Sequence, residues 1–195
     1  MKKVALAVLL VSMIAFTGCG PSRNKMISGM KEKEQALFSP TATSFDSTTA
    51  RALVKMYEKF VAKFPNDSLT PSCLLKAGNL SVTLKDGNKA IEFLEQFIKK
   101  YPNHPKAEVC LFTEGFVYGD ILKKLDKARE TYQLFIEKYP HSPFVNDAQM
   151  SIQTLGKSPE QIVREIEARH AADSLRKVDS LAKLHHQGKV KKSKR

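Results

Sequence analysis

The sequence predicts an all-α protein that is built from repeated helical hairpins and ends in a long helix. A short motif of aromatic, aliphatic, any residue, Lys, aromatic and Pro recurs three times, as FVAKFP, FIKKYP and FIEKYP. The prolines, Pro65, Pro102 and Pro140, are 37 and 38 residues apart. Internal periods of this size are typical of helical solenoids.

The residues before each proline have helical spacing. At 12, 8 and 5 positions upstream, large or small apolar side chains fall on one helical face. Proline then ends each helix, because it disfavours the helical region for the residue before it. These positions hold Leu53, Tyr57 and Phe60, then Ala90, Leu94 and Phe97, then Ala128, Tyr132 and Phe135. A second helix precedes each of the later two, so residues 48–156 are predicted to be helical repeats.

The first 18 residues have the layout of an export signal. Lys2 and Lys3 form a positive start, Val4 to Phe16 is apolar except for Ser12, and small residues precede Cys19. The apolar run is shorter than the roughly 20 residues that span a membrane. A plain secretory signal or an uncleaved anchor would fit these features. The segment ending in Cys19 also resembles a bacterial lipobox, which implies that the Cys19 thiol is lipidated and becomes the mature N-terminus.

Residues 19–47 are predicted to be a tether with a possible first helix. Met26 to Phe38 carries enough apolar residues for a helix, whereas Ser39 to Ser47 is rich in Ser, Thr and Pro and predicts a loop.

The repeat pattern is similar to that of the tetratricopeptide family. Ala77–Gly78 and Gly115–Tyr118 match parts of its first-helix signature. Ala90 with Pro102, and Ala128 with Pro140, match its second-helix signature. The long period and the YP loops resemble outer-membrane lipoproteins of this fold, the BamD-like and Tol-Pal-associated periplasmic subgroup. That resemblance implies a non-enzymatic, lipid-anchored protein on the periplasmic side of the outer membrane that binds an envelope protein or peptide. The repeat-motif residues are Phe60, Phe64, Pro65, Ala90, Phe97, Tyr101, Pro102, Ala128, Tyr132, Phe135, Tyr139 and Pro140.

The C-terminal segment predicts a helix over residues 157–187. Ser158 to Gln161 has the layout of a capping box with Pro at the first helical position. Ile162, Val163 and Ile166 are expected to close the exposed end of the repeats. A narrow apolar stripe of Leu175, Val178, Leu181 and Ala182 follows, which fits either pairing with another helix or a solvated extension.

Residues 188–195 are predicted to be a disordered basic tail. The formal net charge is +12, but Lys2, Lys3 and five residues of this tail contribute seven of it, which leaves +5 for the rest. The tail favours either an anionic lipid surface or envelope polymer as partner, or simple solvation. Tethering to such a surface is the alternative function.

No motif predicts a catalytic site, a cofactor or a metal site. The adjacent His185 and His186 point to different sides of a helix and cannot chelate one ion as an i, i+4 pair would. The aromatic residues have the spacing of a core, and export removes nucleic acid from the expected partners. Cys73 and Cys110 occupy equivalent repeat positions. Packed helices lie about 8–10 Å apart, whereas a disulfide requires Cα atoms within about 7 Å. Both cysteines are therefore expected to be core thiols, with a disulfide as the alternative.

Overall fold

The computed structural model describes residues 22–40 and 44–192. Within these ranges the chain forms eight α-helices and no strand. The predicted fold class, an all-α tetratricopeptide-type solenoid that ends in a long helix, is confirmed. The signal segment and Cys19 lie outside the described residues. The helices are α1 (Arg23–Leu37), α2 (Ser47–Lys63), α3 (Thr70–Thr83), α4 (Gly87–Lys100), α5 (Ala107–Phe116), α6 (Leu125–Lys138), α7 (Val145–Thr154) and α8 (Pro159–Lys192).

The helices divide into two compact units, α1 to α4 and α5 to α8. In the first unit α1 packs on α2, α2 on α3, and α3 on α4. In the second unit α5 packs on α6, and α6 on α7. All nine residues at the predicted helix-face positions are buried, the most exposed being Tyr132 at 2%. The repeated spacing therefore marks the buried faces of α2, α4 and α6.

The aromatic residue before each proline is the C-cap of its helix. Phe64, Tyr101 and Tyr139 have nearly identical backbone angles, with φ of −126°, −130° and −129° and ψ of 62°, 55° and 59°. Each donates its backbone N–H to the carbonyl of the residue four positions earlier. The motif thus ends three helices with one backbone conformation.

The same motif places its two aromatic rings against each other. The ring centroids are 5.1 Å apart for Phe60–Phe64, 5.5 Å for Phe97–Tyr101 and 5.7 Å for Phe135–Tyr139. The motif lysine lies over the second ring each time, with its Nζ 5.5–5.8 Å from the centroid. An aromatic pair contributes about 0.5–1.5 kcal/mol beyond its burial, and an exposed cation–π contact about 0.5–1 kcal/mol.

Two residues after each proline, a polar side chain organises the loop. Asp67 accepts a bond from the backbone N–H of Leu69 at 2.9 Å, and His104 Nδ1 accepts one from that of Lys106 at 3.0 Å. Ser142 makes the corresponding contact with the N–H of Phe144 at 3.4 Å. His104 therefore has a structural role in its loop, which agrees with its match to Asp67 in the repeat register.

A π-helical turn explains why the second period is one residue longer than the first. α3 and α5 start 37 residues apart, whereas α4 and α6 start 38 residues apart. The extra residue falls in Val117–Ile121, which continues α5 as a π-helix, and Leu122 N–H bonds to the carbonyl of Val117, five residues earlier. A π-turn is how a helix accommodates a single added residue, and such turns are frequent at functional sites.

Helix α8 begins with the predicted capping box. Ser158 N–H donates to Gln161 Oε1 at 2.8 Å, and Gln161 N–H donates to Ser158 Oγ at 3.3 Å. The helix ends at Lys192, five residues later than the predicted end, and so includes Gly188. A single glycine costs a helix only about 1 kcal/mol, and the lysines around it are good helix formers. Residues 193–195 lie outside the described part.

Both described cysteines are free and buried. Burial raises the pKa of the Cys73 thiol to about 11 and that of Cys110 to about 12. Because the thiolate is the reactive form, both are inert core residues near neutral pH.

Candidate binding groove

The first unit contains an open groove of about 510 Å³. Helices α1, α2 and α3 form its walls, together with the loop that joins α1 to α2. Its main lining residues are Glu34, Phe38, Phe45, Tyr57, Lys76 and Leu80. A volume of this size is within the range that accommodates ligands and peptide side chains.

Two exposed aromatic side chains border this groove. Phe38 follows the last residue of α1 and is 64% exposed, and Phe45 lies just before α2 and is 46% exposed. Leu80 of α3 lines the same cavity and is buried. Neither phenylalanine belongs to the repeat register, so packing of the repeats does not account for them. Large aromatic groups beside a concavity are typical of protein-binding surfaces.

A hydrogen-bonded trio lies in the groove. Tyr57 donates its hydroxyl proton to Glu34 Oε1 at 2.5 Å, and Lys76 Nζ lies 2.8 Å from the same oxygen. Burial raises the pKa of Glu34, but the hydrogen bonds from Lys76 and Tyr57 lower it by more, so the net pKa lies below its usual value. Burial and the bond to Glu34 raise the pKa of Tyr57. At neutral pH the trio is thus an ionised carboxylate with two donors.

The trio also separates the groove from a smaller cavity of about 90 Å³. Glu34, Tyr57 and Lys76 line both spaces, and Met30 and Cys73 are among the other residues that line the smaller one. The side chain of Lys76 is 48% exposed, whereas that of Glu34 is 25% exposed. Lys76 is therefore the more exposed member of the ion pair, and Glu34 holds its ammonium group in place.

An ion pair holds the start of α1 against the loop between α2 and α3. Arg23 donates from Nε to Asp67 Oδ2 at 2.5 Å and from Nη2 to Oδ1 at 3.0 Å. The bond from Arg23 holds the pKa of Asp67 at about 2. A bidentate pair has a fixed geometry, so it restrains the helix that carries Glu34 and that Phe38 follows.

The second unit has a cavity of about 470 Å³ with a different character. It lies between the π-helical turn, α6, and the segment that joins α7 to α8. Its lining includes Asp120, Lys123, Tyr132, Thr154 and Ser158, which are mostly polar. No large exposed aromatic side chain lines it, so the groove in the first unit is the better candidate for an apolar partner.

The sequence profile of YfiO, described as an outer membrane lipoprotein, matches residues 30–159. The chain belongs to the YfiO family. The match supports the predicted resemblance to BamD-like tetratricopeptide lipoproteins and associates the protein with the outer membrane. A comparison with curated proteins finds no match.

The YfiO-family match covers the groove as well as the repeats, since Glu34, Phe38, Phe45, Tyr57 and Lys76 all lie within residues 30–159. Among the described residues, no helix is long and apolar enough to cross a membrane. Within the same residues, no group of three or more His, Cys, Asp or Glu side chains is arranged to hold a metal ion.

The repeat-motif residues named from the sequence lie outside the groove lining. Phe60, Ala90, Phe97, Ala128, Tyr132 and Phe135 are buried, Phe64, Tyr101 and Tyr139 are half-buried, and Pro65, Pro102 and Pro140 are exposed in loops. Of this set, only Tyr132 lines one of the two larger cavities, the one in the second unit. Cys19, the predicted lipid attachment site, lies outside the described residues.

Sequence reasoning missed the groove residues Glu34, Phe38, Phe45 and Lys76. A signal for two of them was present, because Phe38 and Phe45 are aromatic residues outside the repeat register that flank a polar loop. No local signal pairs Glu34 with Lys76, which are 42 residues apart.

Proposed function

We propose that this protein is a lipid-anchored scaffold on the periplasmic side of the outer membrane. In this proposal it binds a partner protein or peptide during outer-membrane protein assembly or envelope maintenance, and it has no catalytic role. The observation that carries the proposal is the groove with its two exposed phenylalanines, in a chain of an outer-membrane lipoprotein family.

The groove supports binding of an apolar segment for a physical reason. Covering Phe38 and Phe45 removes apolar surface from water at about 25 cal/mol per Å². Lys76 lies beside them and offers a donor to a backbone carbonyl or carboxylate of the partner. An apolar anchor beside one fixed polar group is a common arrangement in peptide recognition.

Site-specific photocrosslinking in cells tests this role. A photoreactive residue at position 45 is expected to capture one defined envelope protein, and the F38A substitution in the same chain is expected to abolish that product. Position 134 is the matched control, since Leu134 is 50% exposed, belongs to the second unit and does not line the groove. Equal capture from positions 45 and 134, or capture that survives F38A, would contradict the proposed groove.

The assembly role has its own measurement. Cells that rely on an F38A/F45A variant should contain less correctly assembled outer-membrane protein than cells with the parent chain, at equal variant abundance. Both side chains are exposed, so their loss should leave the fold intact. Normal assembly in the double variant, with L134A as the control, would remove assembly from the proposal and leave envelope maintenance.

Cys19 is the proposed lipid attachment site. Each buried methylene of an acyl chain contributes about 0.8 kcal/mol, so two or more chains give stable anchoring. Labelled palmitate should enter the parent chain and the C73A variant, whose thiol is buried in the core, but not the C19A variant. Label retained in C19A would contradict the assignment.

A further inference from the structure

Helix α8 has an apolar face that nothing in the described chain covers. Every side chain from Val163 to Leu181 is exposed, including Leu175 at 70%, Val178 at 64% and Leu181 at 61%. An ion pair between Lys157 Nζ and Glu165 Oε2 at 2.6 Å connects the first turns of α8 to the segment before it. Helices in proteins are stabilised mainly by packing of one face, so a helix of 34 residues that is exposed over this length indicates a missing partner.

The spacing of the apolar residues specifies the kind of partner. Ala168, Ala171, Leu175 and Val178 follow one another at intervals of three, four and three. Apolar residues at alternating intervals of three and four form the narrow seam by which one helix packs along another. Leu181 lies beside this seam and widens it.

The charges along α8 specify the identity and direction of that partner. Residues 159–175 contain two basic and four acidic side chains, for a net charge of −2. Residues 176–192 contain six basic and one acidic side chain, for a net charge of +5. In an antiparallel pair of identical helices, each acidic half lies along the basic half of the other copy. A parallel pair would place the two basic halves together.

We propose that α8 mediates self-association, as an antiparallel pair with α8 of a second copy. The contact is isologous, with the same surface used by both protomers. Leu175 and Val178 lie near the two-fold axis, where they form the apolar centre of the interface. Self-association through this helix goes beyond the proposed scaffold role and leaves the groove of each copy unaltered.

A lipid surface is a poorer match for this face. Helices that lie on membranes have a broad apolar face, often with Trp or Phe at its border. Residues 159–195 contain no aromatic residue, and Asp173 and Asp179 interrupt the basic charge around the seam. Binding to a second helix requires only the narrow seam.

Disulfide crosslinking of the full-length lipoprotein in its native membrane tests the proposal. The chain's own Cys73 and Cys110 are buried and do not interfere. L175C and V178C are each expected to give a disulfide-linked dimer. The matched control S180C, on the opposite face of the same helix turn, should give much less, because that side chain points away from the seam.

The A168C variant tests the direction of the pair. In an antiparallel dimer centred between Leu175 and Val178, the two copies of residue 168 are roughly 25 Å apart along the helices, whereas a disulfide requires Cα atoms within about 7 Å. A168C should therefore form no dimer. Crosslinking of A168C as efficient as that of V178C would overturn the antiparallel arrangement.

Sedimentation gives the second readout. The detergent-solubilised parent protein should have twice the protomer mass, and L175D/V178D should have the protomer mass with its groove crosslinking from position 45 intact. Three outcomes overturn the proposal: a parent protein of protomer mass, V178C crosslinked to a different protein, or an L175D/V178D variant that loses binding to phosphatidylglycerol vesicles but not its dimeric mass.

Discussion

The hairpin of α3 and α4 and the hairpin of α5 and α6 have the same motif but different interiors. Gly78 of α3 faces Leu94 of α4, and a Cβ added at Gly78 would lie 3.2 Å from a terminal methyl group. Gly115 is the equivalent residue of α5 and faces Tyr132, where an added Cβ would lie 2.6 Å from the ring. The same repeat position can therefore face either a leucine or a tyrosine, because glycine leaves space for the larger tyrosine ring.

The second hairpin accommodates its added residue within one helical turn, the π-helical turn Val117–Ile121. Within the π-helical turn Gly119 lies against Ala128, the equivalent of Ala90. A Cβ added at Gly119 would lie 3.4 Å from the Cβ of Ala128. The repeat motif fixes how each hairpin ends. The residues that face each other inside the hairpin decide how closely its helices approach.

The largest expected effect separates the two glycines. G115A should lower the free energy of unfolding by about 3 kcal/mol, because a rigid ring cannot yield without displacing its neighbours. G78A should change it by less than about 1 kcal/mol, since the Leu94 methyl can rotate away and alanine favours the helix. Urea unfolding followed by circular dichroism measures both, and equal losses would contradict the proposed difference between the hairpins.

Two tyrosines at one register position give the next largest effect. Tyr57 bonds to the Glu34 carboxylate at 2.5 Å, whereas Tyr132 is hydrogen-bonded to Ser151. Y57F should cost about 2 kcal/mol and Y132F about 1 kcal/mol, because hydrogen bonds to charged groups are stronger. Hydrogen exchange in each unit measures the two losses separately. A larger loss for Y132F would show that the carboxylate adds nothing.

The two intra-hairpin turns should respond alike. Lys85 and Lys123 are equivalent residues, each with a φ of 55° in the left-handed region that favours glycine. The left-handed conformation costs a non-glycine residue about 1–2 kcal/mol, and the greater freedom of unfolded glycine offsets part of this. K85G and K123G should each raise the free energy of unfolding by about 0.5 kcal/mol in thermal melts. A gain at only one site would show that the two turns differ.

The smallest effect on stability is expected in the Asp67 loop of the first unit, whose counterpart in the second unit is the His104 loop. The pKa of Asp67 is lowered to about 2 by Arg23, so the carboxylate stabilises the fold above its ordinary pKa near 4. That stabilisation is lost as the pH falls towards 2. D67N keeps the side-chain oxygen that bonds to Leu69 but removes the charge. The parent should therefore be more stable than D67N at pH 7, and the difference should vanish near pH 2 in acid titrations. A constant difference would exclude the ion pair as its cause.

Much of the fold could be predicted because its determinants are local. Helix faces, the proline stops and the Ser158–Gln161 capping box depend on residues within one or two turns of each other. The end of α8 differs from the predicted one by five residues, because the helix continues through Gly188 to Lys192. The π-helical turn was not predicted, although the 38-residue spacing shows that one residue is added in that repeat.

The groove could not be predicted in the same way. Phe38 and Phe45 lie on either side of a loop, and Lys76 is 42 residues from Glu34, so only packing of α1, α2 and α3 brings them to one cavity. Helical periodicity reports which face of one helix is buried. It does not report which side chains of different helices meet.

The sequence by itself determined the helical repeat, the way each hairpin ends and the family to which the chain belongs, because a motif repeated three times fixes local backbone conformation wherever it occurs. Tertiary structure decided the rest: the Glu34–Tyr57–Lys76 trio, the tight contact of Gly115 with Tyr132 and the uncovered face of α8. The first two depend on contacts between residues distant in sequence, and the third on the lack of such contacts along α8 among the described residues. The free energy of such contacts is set by the distance and burial that only the assembled helices provide.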